Sequence, residues 1–147
     1  MLREILLELF ERDLSKLKDE VNSYKSETNI WKTERAISNS AGNLVLHLCG
    51  NLKLFIGSTL GKFRYERDRE SEFNVKNVPI ESLVKNIEET LLIVKATLLD
   101  MKQEDFEKAY PLKVLGKEMT TSYFLVHLLS HLNYHLGQVN YHRRLIE

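Results

Sequence analysis

The sequence has little cysteine, little proline and no excess of charge of either sign. Its 147 residues include one cysteine and two prolines, and 21 basic residues balance 21 acidic ones. One cysteine excludes an intramolecular disulfide, and Cys49 lies in an apolar run, where a free cysteine behaves as a small hydrophobe. Proteins that bind nucleic acid through its phosphates usually carry a basic excess or a basic stripe. We therefore expect no nucleic-acid partner.

Long uncharged apolar runs are also missing. No stretch reaches the roughly 18 residues that indicate a membrane-spanning helix. The first residues open directly into an amphipathic pattern with acidic side chains, unlike a secretory signal. We expect a cytoplasmic protein without a membrane partner. The length fits a single domain over residues 1–147, and the hydrophobic fraction of 43% is that of a folded globular chain.

Four amphipathic segments make up most of the chain. Their apolar residues recur mainly at three- and four-residue spacing, which is typical of helices that turn one face to a core. The segments are 2–24, 40–60, 79–98 and 120–146. Long connectors separate them, of which the first two are expected to cross an end of the bundle. The sequence predicts an all-α fold, a four-helix bundle with long crossover connections.

The expected core takes residues from three of these segments. Gly50 and Gly57 interrupt the second segment, where each costs roughly 1 kcal/mol of helix stability relative to alanine. Close packing of another element against this helix would explain both glycines. The residues expected to share one core are Leu48, Leu52, Ile87, Leu91, Leu128, Leu132 and Leu136.

Three of the five histidines lie four residues apart in the last segment. His131 and His135 differ by about 40° around a helix, so both imidazoles can reach one point beside it. His127 and His135 are about 12 Å apart along the axis, too far to share one ion at a metal–nitrogen distance of about 2.1 Å. His135 lies inside the apolar arc of the segment and His131 at its edge, whereas His127 lies outside it. The pair that faces the core is therefore His131 and His135.

A closed metal site needs a further ligand from another helix. His47 is the remaining histidine deep in an apolar segment. Asn43 and Asn51 share its face and are expected to orient it or a bound water. Three neutral imidazoles with open positions are typical of catalytic metal sites. Leu132 follows His131, so the pair lacks the glutamate base of an HExxH metalloprotease helix. The alternative is that these histidines are hydrogen-bonded core residues that hold no metal.

Several stretches resemble the DinB-like (damage-inducible) family. The segment His131–Val139 resembles the family's "HxxxHxGQ" end, and Asn43–Leu48 resembles its second-helix histidine segment. Tyr65–Phe73 is similar to the "R-x-R-x-x-E-F" connector of one uncharacterised branch. In this order and spacing, the resemblance covers most of the chain.

The resemblance implies a four-helix bundle that holds a divalent metal ion on His47, His131 and His135. The Irving–Williams order makes zinc, nickel or copper tight binders of such a site, and zinc or nickel is expected. The resemblance also implies a homodimer, for which the apolar run Ile5–Leu7 makes the first helix a candidate interface. Characterised relatives include bacillithiol S-transferases and mycothiol-dependent isomerases. The implied activity is a metal-dependent S-transferase that joins a low-molecular-weight thiol to an electrophile. The residues expected near the site are Asn51, Tyr134 and Gln138.

Two other functions remain open on the same residues. A metal-activated water would make the protein a metal-dependent hydrolase, although no acidic residue stands beside the ligands on either histidine helix to act as a base. The third hypothesis is a metal-binding stress-response protein without catalysis, because a fold and a site do not guarantee a reaction.

Overall fold

The computed structural model describes residues 1–147 and is all-helical, as the sequence predicts. The α-helices are α1 (Leu2–Asn22), α2 (Ala41–Leu52), α3 (Arg69–Asn74), α4 (Ile80–Asp100) and α5 (Thr121–Ile146). A π-helical turn (Lys53–Ser58) extends α2, and short 3-10 turns lie at Asn29–Trp31 and Gln103–Phe106. There is no β-strand, only two isolated bridges in the connector before α5. No helix combines the length and the apolar character that crossing a membrane requires.

Side-chain caps begin the two helices that carry the histidines. The Ser40 hydroxyl accepts a hydrogen bond from the backbone N–H of Asn43, and the Thr120 hydroxyl accepts one from that of Tyr123. Each satisfies a backbone donor that has no partner within the helix and contributes about 1 kcal/mol. Pro79 directly precedes α4, where its fixed φ suits a helix start.

Helix α1 runs parallel to α5. Asn133 of α5 donates a hydrogen bond to Asp13 of α1. About two turns further along both helices, Asn140 donates to Glu20. Because residue numbers rise together along the two helices, their chains run in the same direction.

Helix α2 runs antiparallel to α5. His47 lies beside His131, whereas Phe55, further along α2, packs against Phe124, earlier in α5. Helices α1 and α2 each pack against both α4 and α5, so they stand at opposite corners of a four-helix bundle.

Helix α4 is antiparallel to α1, since Arg3 at the start of α1 donates to the carbonyl of Met101 just beyond α4. The directions of α1, α2, α4 and α5 are therefore up, down, down and up. Because α2 and α4 run in the same direction, the connector between them returns along the length of the bundle and lays α3 against α2. Our expectation that it only crosses an end was wrong. This return path brings α3 to the histidines.

The core is a single cluster of 28 buried hydrophobic residues. It contains six of the seven residues that the sequence predicts, and Leu91 packs against it while remaining partly exposed. The connectors add fully buried side chains that helical periodicity does not reveal, Ile30 and Phe106. The long connectors are therefore parts of the core and close both ends of the bundle.

Gly50 and Gly57 are sites of close approach, as predicted. A Cβ atom on Gly50 would overlap the carboxylate of Glu72 in α3, and one on Gly57 would come within 2.5 Å of the Ile93 side chain in α4. The absence of a side chain on α2 therefore leaves the space that Glu72 occupies.

Exposed apolar side chains concentrate on α5 rather than on α1. Leu6 is buried and Leu7 is partly buried, which leaves Ile5 as the exposed member of the run that made α1 a candidate interface. The homodimer stays a prediction, and α5 offers it the larger apolar surface. The exposed apolar residues of α5 are Tyr123, Val126, Tyr134, Tyr141 and Leu145.

Candidate metal centre

The three histidines that the sequence singles out meet between α2 and α5. The Nε2 atom of His131 lies 3.3 Å from that of His47 and 3.1 Å from that of His135. The three potential ligand atoms all lie within 4.8 Å of one another. Two nitrogens bound to the same ion at about 2.1 Å are separated by roughly 3.0–3.4 Å. His131 therefore has, to each of the other two histidines, the spacing that ligands of one ion would have.

Hydrogen bonds at the far side of two rings fix their tautomers. His47 Nδ1 lies 3.1 Å from Glu72 Oε1, and His135 Nδ1 lies 2.6 Å from Gln138 Oε1. Both oxygens are acceptors, so each Nδ1 carries the hydrogen and donates it. Each Nε2 is then left with a lone pair directed at the cluster, which is the arrangement of a histidine ligand with an outer hydrogen-bond partner.

His131 has no hydrogen-bonding arrangement that satisfies the cluster. Its Nδ1 is buried without a partner, and its Nε2 faces the lone pairs of two other rings. A hydrogen on His131 Nε2 can be donated to only one of these two lone pairs. A cation among the three nitrogens would accept all three lone pairs at once, so the donor set fits a divalent metal ion.

Burial keeps the pair on α5 neutral. It lowers the pKa of His131 to about 4, with further lowering by the charges of His135 and His47. Burial also lowers the pKa of His135, and the hydrogen bond to Gln138 offsets part of this effect. A metal binds only unprotonated imidazole, so both rings are in their ligating form at neutral pH.

Glu72 of α3 supports His47 and is itself held by Arg67. The Nε and Nη2 atoms of Arg67 donate to the two carboxylate oxygens, each at 2.9 Å. Burial raises the pKa of Glu72, but the hydrogen bonds from His47 and Arg67 outweigh it and the pKa is lowered. Arg67 Nη2 also lies 3.2 Å from His47 Nδ1, yet both atoms are donors and their common acceptor is Glu72.

The other two residues of the R-x-R-x-x-E-F motif complete this support. The Phe73 ring packs against the His47 imidazole with centroids 4.9 Å apart, and the Arg69 guanidinium lies over Phe73 at 5.2 Å. Three of the four motif residues therefore contact His47, and Arg69 contacts Phe73. The sequence shows the motif, but not that a segment twenty or more residues away folds back onto this histidine.

The asparagines near His47 have other roles than the sequence suggested. Asn43 does not contact His47; its amide donates to the carbonyls of Glu72 and Val75 and so fastens α3 to α2. Asn51 is 7% exposed, makes no hydrogen bond, and its Oδ1 is buried without a partner.

Of the candidate residues on α5, Gln138 contacts the His135 ring directly, as described above. The exposed Tyr134 stands edge-on to His135 with ring centroids 5.2 Å apart. His127 lies outside the cluster and stacks on Phe124. His142 is far along the helix and bonds through both of its ring nitrogens to Tyr24 and the carbonyl of Lys32.

Two cavities border the cluster from opposite sides. One, of about 440 Å³, touches His135, Tyr134 and Gln138. The other, of about 410 Å³, touches His47 and His131. No aspartate or glutamate lines either of them. A larger depression between α1 and α5 touches none of the three histidines.

The fold and the histidine cluster define the class, a DinB-like helical bundle with a candidate metal centre. A crystal structure of a DinB-like protein from Bacillus cereus matches with a TM-score of 0.79 at 17% identity, covering 97% of this chain and 91% of that one. A conserved protein from Enterococcus faecalis matches with a TM-score of 0.75 at 17% identity, covering 97% and 95%. At this identity the likeness concerns the fold, and the predicted fold is confirmed.

The chain belongs to the family described as "Protein of unknown function (DUF1572)", which matches residues 4–147. None of the curated proteins matches this chain.

Proposed function

We propose that the protein binds one divalent metal ion through His47, His131 and His135 and transfers a low-molecular-weight thiol, of the bacillithiol type, to an electrophile. The observation that supports this is the convergence of three Nε2 atoms, two of which have lone pairs fixed inward by Glu72 and Gln138. Zinc and nickel are the favoured ions, since both bind imidazole tightly.

The reaction joins a thiol RSH and an electrophile R′X into the thioether RSR′ with release of HX. The S–H bond is lost, its proton passes to water, a new S–C bond forms, and X leaves with its bonding pair. His47, His131 and His135 would hold the metal ion, which would favour the thiolate form of a thiol at neutral pH. The thiolate is the nucleophilic form.

The protein's own residues orient two of the three ligands. Glu72 fixes the tautomer and orientation of His47, and Arg67 keeps Glu72 charged. Gln138 does the same for His135 through a neutral acceptor. The two bordering cavities give room for a thiol on one side of the centre and an electrophile on the other.

The contacts of Glu72 argue against the hydrolase alternative. A hydrolase needs a base that takes a proton from water, but both oxygens of Glu72 are occupied by Arg67 and His47 and its pKa is lowered. Neither bordering cavity offers another carboxylate. A cytoplasmic location suits the transferase, because thiols stay reduced there.

Metal analysis of gently purified protein, followed by a screen of small thiols with the chloride-releasing electrophile monochlorobimane, tests this proposal. We expect about one equivalent of metal per chain and thioether formation that stops in a chelator and in His131→Ala. The matched control His142→Ala keeps both.

Each alternative has its own result in the same assays. Bound metal with ester or amide cleavage and no thioether would mean a hydrolase. Bound metal without turnover of any thiol or ester would favour a non-catalytic metal-binding protein. A chain that binds no divalent ion at all would overturn the proposal.

A further inference from the structure

The cavity beside His47 and His131 is lined by two arginines, of which one is paired with a carboxylate of the protein and the other is not. Its charged lining residues are Arg67 and Arg69, and none is acidic. Arg67 is neutralised by its bidentate pair with Glu72. Arg69 has no carboxylate partner and is held only by the Phe73 ring, over which its guanidinium lies. We name this space the arginine cavity.

Asn51 also lines the arginine cavity. Asn51 lies one helical turn beyond His47 on α2, is 7% exposed, and has a buried Oδ1 without a partner. A buried polar atom without a partner costs about 1–3 kcal/mol, so native proteins seldom keep one without a reason.

Apart from His127, the remaining wall of the arginine cavity is apolar. Phe55, Phe124 and Leu128 line it, together with Val114 and Leu115 of the connector before α5. Its volume of about 410 Å³ is enough for a small organic molecule. A ligand can therefore place an apolar body against the aromatic wall while one end reaches Arg69 and the other reaches the histidines.

We infer that the arginine cavity is the electrophile site and that it selects substrates bearing a carboxylate, which Arg69 binds. The catalytic part of this inference rests on the proposed function, whereas anion binding by the cavity does not. Arg69 can meet a carboxylate with two parallel N–H donors. Its guanidinium lies over Phe73, and Phe73 packs on His47, so Arg69 stands near the histidine cluster.

A matched pair of probes tests the inference, 3-phenylpropionate and its neutral amide, 3-phenylpropionamide. The two have nearly the same shape and differ in charge. Calorimetric titration of zinc-loaded protein should give an affinity about tenfold higher for the carboxylate, the effect of one charge-assisted pair. Arg69→Gln should bring the two affinities close together, and Arg69→Lys should restore part of the preference.

Arg64→Gln is the control, since Arg64 belongs to the same connector, is exposed and does not line the arginine cavity. The titrations are repeated without zinc. A preference that survives metal removal but not Arg69→Gln supports the inference. A preference that vanishes with the metal but survives Arg69→Gln means that the carboxylate binds the ion, and it overturns the inference.

Equal affinity for both probes, or binding of neither, would overturn it as well. Zinc affinity measured in parallel separates the two proposals. A wild-type chain that binds no zinc contradicts the proposed function, while the metal-free titrations still decide whether Arg69 binds a carboxylate.

Discussion

Two parts of α5 use histidine in opposite ways. Near its end, His142 Nε2 donates to the Lys32 carbonyl at 2.7 Å, and Nδ1 accepts from the Tyr24 hydroxyl at 2.7 Å. Three turns earlier, His131 faces the lone pairs of two other imidazoles and leaves its Nδ1 without a partner. Both ring nitrogens of His142 have hydrogen-bond partners within the protein, whereas Nδ1 of His131 has none.

The difference separates a structural histidine from a candidate ligand. A neutral imidazole has one donor and one acceptor, and His142 meets one partner of each kind. At His131, the Nε2 lone pairs of His47 and His135 face another ring nitrogen. This arrangement lowers the stability of the fold unless a cation or protons lie between the nitrogens. The partners of a histidine therefore say more about its role than its burial does, since His142 and His47 are both buried.

The largest expected effect is on metal affinity. His131→Ala removes the nitrogen between the other two and should weaken zinc binding by more than about 100-fold, the upper range for losing only an outer partner of a ligand. Zinc should then no longer raise the melting temperature. His142→Ala should lower stability but leave zinc affinity unchanged in a competition assay with a chromophoric chelator. Equal losses in both variants would remove the distinction between the two histidines.

The support of His47 should matter next. Glu72→Gln keeps an acceptor for His47 Nδ1 but removes the charge that Arg67 pairs with, so zinc affinity should fall about 10-fold or more. The same chelator competition measures it. Glu70→Gln, on the exposed side of the same short helix, is the matched control and should change nothing. Unchanged zinc affinity in Glu72→Gln would mean that His47 is oriented by packing alone.

Two glycine substitutions test how tightly α2 packs against Glu72. Gly50→Ala puts a methyl group into the Glu72 carboxylate and should cost about 1–3 kcal/mol of unfolding free energy. Gly137→Ala meets no atom within 4 Å and should gain up to about 1 kcal/mol from helix propensity. Urea unfolding of both variants checks the opposite signs. A neutral Gly50→Ala would show that Glu72 moves aside freely.

An effect of comparable size is expected in the pH dependence of the metal-free protein. The pKa of His131 is lowered to about 4 in the folded state, so below about pH 6.5 the unfolded chain takes up a proton that the folded chain does not. The free energy of unfolding should therefore fall as the pH drops from about 6.5 toward 4. Because the ring is only half-buried and partly screened by water, about 1–2 kcal/mol is expected.

Urea unfolding in a chelator at several pH values measures this slope. His131→Gln should make the free energy of unfolding less dependent on pH than in the wild type. His142→Gln should leave the part of the dependence that comes from His131. Identical slopes in wild type and His131→Gln would show that the cluster is not the source of the pH dependence.

The helices and the ligand pair could be predicted because both are local in the sequence. His131 and His135 are one turn apart, so helical geometry alone puts them side by side. His47 required an argument about burial, and its meeting with the pair depends on α2 and α5 being antiparallel neighbours. Asn43 shows the limit of such reasoning: it shares a face with His47, yet it holds α3 rather than the imidazole.

The sequence by itself determined the four amphipathic helices, the pair His131 and His135, and the need for a small residue at Gly50. Only the tertiary structure decided that the connector after α2 returns along the bundle and brings Glu72, Arg67 and Phe73 to His47. The physical reason is that periodicity records which face of a helix is apolar, but not which helix lies opposite it. Parallel neighbours such as α2 and α4 require a long return path, and the function of that path depends on where the packed helices let it run.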